Sequence, residues 1–325
     1  MTKRLAEVDV KGILFTPNDA VEAALRTIEE RRSYVGAGVR IGVHDLDEYF
    51  LPARPGELIT VMGMTSNYKS GLMQYWARHT AGEIVNERLV DECVVYVTWE
   101  QAIEEMVAFD LAFTARLSAT DVVQGKVSDA EMERLRAVIG PKRAMTPLYL
   151  IGHSLSEERK RPRLSLSAVA QAMQMLKSEY GVRPRAIFLD YLQKIEPEEG
   201  EDRRMQVFYA VERCKDMALA MACPVVLGCQ ANREVYKEAN GMPAVDSGLE
   251  SSNIEHGSDK IVGVWYPIRK YDAGKAIELG TKRLTVTENL LMLKVLKQKI
   301  GPAGRTFPLY VDPTINDIHD MATHV

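Results

Sequence analysis

Positions 63 to 70 read Gly63-Met64-Thr65-Ser66-Asn67-Tyr68-Lys69-Ser70, directly after the apolar run ELITVMG and directly before a helical pattern. A strand, a tight loop and a helix N-terminus in that order form a phosphate cradle. Backbone N–H groups and the helix end face the anion, a lysine reaches the outer phosphates, and a serine hydroxyl ligates magnesium. Lys69 and Ser70 fit the last two roles, and Gly63, Thr65, Ser66, Asn67 and Tyr68 fit the cradle itself. Tyr68 departs from the usual GxxxxGK[ST] pattern, in which a glycine at that point supplies φ > 0 or close backbone approach. The loop must therefore carry strain or take another shape.

Three further residues end apolar runs in the same way. Asp190 closes RAIFLD and precedes Tyr191-Leu192-Gln193; a carboxylate beside a phosphate loop is suited to hold magnesium, directly or through water. Glu100 closes VVYVTWE and is the candidate base or water-orienting group for attack on a γ-phosphate. Gln230 closes PVVLGCQ; its neutral amide can sense a γ-phosphate and pass that state to the polar segment that follows.

These residues need a scaffold that brings strand ends to one edge. The runs 57–63, 93–99, 186–192, 224–230 and 260–266 are mostly apolar without alternation, as strands buried on both faces are. Helical patterns at 70–81, 101–117, 166–180 and 203–222 lie between them. The predicted architecture is a mainly parallel sheet covered on both sides, closed by a C-terminal hairpin that turns at Gly301-Pro302-Ala303-Gly304. A helix over 18–32 is predicted ahead of it, with Thr16 as N-cap and Pro17 at its first position.

With 325 residues, 46% apolar and 26% charged, the chain is neither disordered nor fibrous. A net charge of −4 argues against a globally basic nucleic-acid binder, so any polyanion must meet a local patch. There is no long apolar stretch of the kind that spans a membrane and no signal-like start, so the expectation is a soluble, cytoplasmic protein with no membrane partner. Cys93, Cys214, Cys223 and Cys229 form no CxxC pair and read as buried small hydrophobes.

Taken in order, these pieces resemble the RecA-like P-loop ATPase domain of DnaB-family replicative helicases, over roughly residues 36 to 315. The resemblance begins at Gly42-Val43 with Asp45-Leu46-Asp47 and at Pro55-Gly56-Glu57-Leu58-Ile59. It continues through Glu100, Asp190-Tyr191-Leu192-Gln193 and Gln230-Ala231-Asn232-Arg233, and ends on Lys297-Gln298-Lys299-Ile300-Gly301-Pro302. It implies an ATP- and Mg²⁺-dependent motor over residues 36–325 behind an N-terminal segment of residues 1–35 whose helix serves as a linker. It also implies a ring, usually hexameric, with single-stranded DNA in its channel and replication or mobile-element proteins as partners. Glu250-Ser251 with Ser252 looks like the end of the DNA-binding loop, to which Arg233 and Lys237 add phosphate contacts. Lys299, or Lys297, stands in for the cation that reaches a neighbouring subunit's nucleotide. Where the family has an arginine finger this chain has Lys299, a point charge in place of a planar fork, and the family's collar domain has no counterpart here. Around the glutamate-serine pair, where family members often have an arginine and a glycine, this chain has Leu249 and Ser252. Tyr68, Lys299, Leu249 and the acidic net charge keep a second expectation open, an ATP-binding assembly or recruitment protein with weak or no unwinding.

Overall fold

The computed structural model describes residues 16–33, 38–138, 147–155, 164–195, 203–231, 242–244, 251–280 and 282–321. The chain divides into two units, Met1–Gly38 and Val39–Val325. In the first, helix α1 (Pro17–Ser33) starts at a reciprocal cap. The Asp19 amide donates to Thr16 Oγ1, and Asp19 Oδ2 accepts from both the amide and the hydroxyl of Thr16.

The second unit is built on a sheet of nine strands. Six run parallel: β1 (Leu58–Gly63), β2 (Glu92–Thr98), β3 (Leu148–Ile151), β4 (Arg183–Asp190), β5 (Val225–Gln230) and β6 (Lys260–Trp265). An antiparallel meander of β9 (Leu290–Gln298), β10 (Thr306–Asp312) and β11 (Asp317–Asp320) continues from β6. The spatial order is β11-β10-β9-β6-β1-β5-β4-β2-β3. Because β1, β5, β4 and β2 are neighbours and run the same way, Gly63, Gln230, Asp190 and Thr98 all finish on one edge. Ligands of open parallel sheets bind at such carboxyl edges.

Alternate residues of the central strands feed two cores, one on each face. Helix α3 (Lys69–Glu87) covers one, where Leu72, Met73 and Trp76 pack with Val61, Tyr96 and Phe188. The other lies under α7 (Leu166–Glu179) and α8 (Arg203–Met221), where Met173, Val211 and Cys214 pack with Met62, Val95 and Ile187. Helices α4 (Ile103–Ala115), α5 (Ala119–Val123) and α6 (Asp129–Val138) share a small cluster around Leu117 and Leu135. A separate two-stranded ribbon, β7 (Ala276–Leu279) and β8 (Lys282–Thr285), packs through Ile277 into a cluster with Trp265, Val286 and Met292.

The predicted parallel sheet and C-terminal hairpin are present, with β11 added at the edge. The helix expected at 70–81 runs on to Glu87, closing at Arg88 in the left-handed region. The run expected as strand to residue 192 stops at Asp190 and passes into a 3-10 turn at Leu192–Lys194. Short helices α2 (His44–Tyr49) and α9 (Ser251–Gly257) stand where no helix was expected. All four cysteines are free and buried, and among the described residues no helix is long and apolar enough to cross a membrane.

Candidate nucleotide site

Gly63 lies between Gln230 of β5 and Val264 of β6, and a Cβ there would stand 2.6 Å from Val264 Cγ1. Glycine is thus required by packing at the start of the loop. The chain then turns through Ser66 (φ 62°) and Tyr68 (φ 69°), both left-handed. Tyr68 is the N-cap of α3 and makes no side-chain cap, which leaves the first amides of that helix open to an anion. Of the two alternatives for the loop, the strained one is realised: tyrosine adopts the backbone that glycine usually supplies, at a cost on the order of 1–2 kcal/mol.

Asn67 is buried and fixes the loop from within. Its Oδ1 accepts from the Tyr266 amide at 3.0 Å and its Nδ2 donates to the Thr65 carbonyl at 3.2 Å. Lys69 is only 8% exposed, its ammonium 4.0 Å from the centroid of the Tyr191 ring. Burial pushes the Lys69 pKa down, and the negative fields of Asp190, Cys229 and Glu100 oppose that shift. A buried ammonium of this kind is set up for an anionic partner.

Asp190 is the residue with an open valence. Its Oδ2 accepts from the Tyr96 hydroxyl at 2.9 Å, while its Oδ1 is buried and has no hydrogen-bond partner. The Asp190-Tyr191 peptide is cis. On β5, a Cβ at Gly228 would come 3.2 Å from Asp190 Oδ1, so glycine keeps that oxygen clear. A buried carboxylate oxygen without a donor suits a divalent cation or its water, and Ser70 in the first turn of α3 offers a hydroxyl of the right chemistry. The donor set therefore fits magnesium.

Gln230 reaches across to the loop: its Nε2 donates to Thr65 Oγ1 at 2.7 Å. Gln193 clamps its backbone, accepting from the Gln230 amide at 3.0 Å and donating to the Gln230 carbonyl at 3.4 Å. Glu100 is exposed on the bend after β2, and its charge acts on both Lys69 and Tyr191. The bend is pinned by Trp99 N–H to the Asp190 carbonyl and by Gln74 to Gln101, at 3.1 and 2.8 Å. The predicted cradle, Lys69, Ser70, Glu100, Asp190 and Gln230 thus come to one edge.

The C-terminal lysines do not join them. β9 runs antiparallel to β6, pairing Gln298 with Lys260 at the opposite edge of the sheet. There Lys297 donates to the carbonyls of Glu255 and Ser258, and Lys299, with its side chain 73% exposed, lies 3.7 Å from Asp259. Arg233, Lys237 and Glu250 lie outside the described residues, and Ser251 and Ser252 open α9. Sequence reasoning did not find Tyr96; it placed Asn67 in the cradle and Gln193 in the motif after Asp190, without the contacts to Tyr266 and Gln230 that they make. Tyr96 had a signal, since a hydroxyl amid the apolar residues of a buried strand needs a polar partner.

A parallel sheet with a lysine-serine loop at its carboxyl edge, flanked by helices and extended by antiparallel strands, is the RecA-like ATPase fold. The sequence model for the DnaB-like helicase C terminal domain matches residues 38–318, and the chain belongs to that family. The chain is 22% identical over 288 residues to a replicative DNA helicase DnaB of Rickettsia bellii, covering 84% of this chain and 56% of the relative. It is 23% identical over 221 residues to a probable plasmid replicative DNA helicase of Chlamydia trachomatis serovar L2, covering 68% and 45%. It spans about half the length of these curated relatives. Among solved structures, one described as an ATPase domain superposes with a TM-score of 0.75 at 19% identity, over 94% of this chain and all of the other (100%). A DnaB-like replicative helicase, described with its interactions with primase, superposes with a TM-score of 0.73 at 18% identity, over 92% and 68%.

Proposed function

We propose that residues 36–325 are the ATP-hydrolysing motor of a ring-forming helicase that acts on single-stranded DNA, and that residues 1–35 carry a linker helix that docks on a neighbouring motor. The observation that carries this reading is the orphaned Oδ1 of Asp190 beside the buried Lys69 ammonium, at the edge where the phosphate loop ends. Gly63, Thr65, Ser66, Asn67 and Tyr68 cradle the phosphates, Lys69 neutralises the outer ones, and Ser70 and Asp190 hold Mg²⁺. When bound, the ion would help to neutralise the charge that develops on the phosphates during transfer. Glu100 orients the attacking water, and Gln230, bonded to Thr65, reports the γ-phosphate to the segment that contains Arg233, Lys237, Glu250, Ser251 and Ser252.

Placement of Lys299 and Lys297 at the far edge of the sheet keeps them from this chain's own phosphate loop, so in the hexameric ring of this reading they would act on a neighbouring subunit's ATP. Replication proteins of the primase kind are the partners this reading implies. A second reading, an ATP-binding assembly or recruitment protein with weak unwinding, draws support from the same strand: Lys297 is occupied by two carbonyls and Lys299 sits near Asp259.

The test is ATP turnover with and without single-stranded DNA. Stimulation by DNA that disappears in Glu100→Gln, with ATP binding retained, is the expected result. Turnover indifferent to DNA would leave the assembly reading in place, and a Lys69→Ala variant that binds ATP like the parent would overturn both.

A further inference from the structure

We infer that Tyr68 is a positioning residue, an aromatic wedge that holds the phosphate loop in its binding shape where a glycine would leave it free. The inference rests on the proposed phosphate site and adds to it a device for pre-organisation. Two contacts meet at this ring, and two hydrogen bonds hold the residues that make them. It lies 5.5 Å from the ring of Tyr266 in a tilted pair. It fills the space above Gly71, where a Cβ would stand 2.7 Å from Tyr68 Cε1. Asn316, in the turn between β10 and β11, donates to the Gly71 carbonyl at 3.1 Å and so holds the stretch of α3 that the ring covers. Asn67, the preceding residue, takes the Tyr266 amide, so two consecutive loop residues are fastened to one residue at the end of β6.

Tyr266 is itself held, since its hydroxyl donates to the Glu288 carbonyl where the chain returns from the β7–β8 ribbon. The left-handed backbone of Tyr68 is therefore over-determined from outside the loop, by β6, by α3 and by the β10–β11 turn. Strained backbone persists where surrounding contacts of this sort fix it, and a site fixed before its ligand arrives avoids the ordering cost of binding. Burial pushes the Tyr68 phenol well above its usual range, with Tyr266 as the next contributor, so the ring stays neutral throughout the working pH range. Its role is that of a packed body and not of a proton donor.

The test is equilibrium binding of a fluorescent ATP analogue with magnesium, read by anisotropy on the full chain, with circular dichroism to establish folding at the assay temperature. Tyr68→Gly and Tyr266→Ala are each expected to weaken binding about tenfold, and the double variant no more than either alone. Tyr68→Phe, which keeps the ring, should bind like the parent. Gly71→Ala should weaken binding in the parent, where its methyl meets the ring, and be better tolerated with Tyr68→Gly, where only Asn316 Oδ1 at 3.0 Å remains close. If Tyr68→Gly folds poorly, Tyr68→Asn takes its place, since asparagine tolerates the left-handed region and lacks the ring. Binding by Tyr68→Gly or Tyr68→Asn as tight as the parent's overturns the inference, as do independent, additive losses for Tyr68 and Tyr266. Lys69→Ala separates the two levels: its failure to weaken binding would sink the phosphate site itself, whatever Tyr68 does.

Discussion

Removing the Tyr96 hydroxyl tests whether Asp190 is held as a charged, cation-ready carboxylate. The hydroxyl is fully buried and donates to Asp190 Oδ2 at 2.9 Å, and the other carboxylate oxygen has no hydrogen-bond partner. Tyr96→Phe keeps the ring stacked on Phe188, 6.0 Å away and nearly coplanar at 9°, and deletes the donor alone. A hydrogen bond to a charged group contributes about 1.5–3 kcal/mol, and the oxygen left behind is buried. With an unfolding entropy near 2 cal/mol/K per residue, about 2 kcal/mol in a domain of this size lowers Tm by roughly 3 °C. The loss should shrink when Mg²⁺ and ATP are added, because the Asp190 carboxylate stripped of its donor attracts the cation more strongly and the variant therefore gains more from binding than the parent does. Differential scanning fluorimetry of parent and variant, each with and without Mg-ATP, reads both numbers. An unchanged Tm for Tyr96→Phe, or a deficit that Mg-ATP leaves untouched, refutes the reasoning about Asp190.

Two further outcomes follow from groups away from the site. Burial pushes the Glu83 carboxyl up to about 7, against the pull of Arg185. The fold therefore favours its protonated form, and stability falls as pH rises from about 4.5 to about 7; Glu83→Gln should flatten that slope and raise Tm at pH 8, and a steeper slope in the variant would contradict it. Lys260 is 2% exposed, donates to the carbonyls of Leu51 and Pro52, and pairs with Glu57 at 3.1 Å. Lys260→Met should cost about 3 kcal/mol by urea denaturation, since it strands a partly buried carboxylate and two carbonyls, and a loss below about 1 kcal/mol would show the pair to be dispensable.

The central strands were legible because a strand buried on both faces carries a continuous apolar run in place of an alternating one, and β1, β2, β4, β5 and β6 each carry such a run. β3 is four residues long and half-buried, and β8 is largely exposed, so neither carries that signature. The phosphate loop was legible for a different reason: its chemistry lies in one continuous stretch. What could not be read there is how distant residues hold it. Asn67 meets Tyr266 across 199 positions, Thr65 meets Gln230 across 165, and Asp190 meets Tyr96 across 94. Lys297 shows the converse. It reads as a free cation in Lys297-Gln298-Lys299, yet the fold lays it against two carbonyls at the C-terminal end of α9, at sequence separations of 42 and 39.

The four buried cysteines have a practical consequence. Burial pushes the thiols of Cys93, Cys214 and Cys223 up to about 12, which leaves almost no thiolate at neutral pH, and the sulfur of Cys229 is packed in the core. A single cysteine introduced on the surface, for instance at Glu100 or Lys299, would thus be the fast-reacting thiol of the folded chain. Maleimide dyes and cross-linkers could then be placed at either edge of the sheet in the native background, with no need to strip the protein of its own sulfur first.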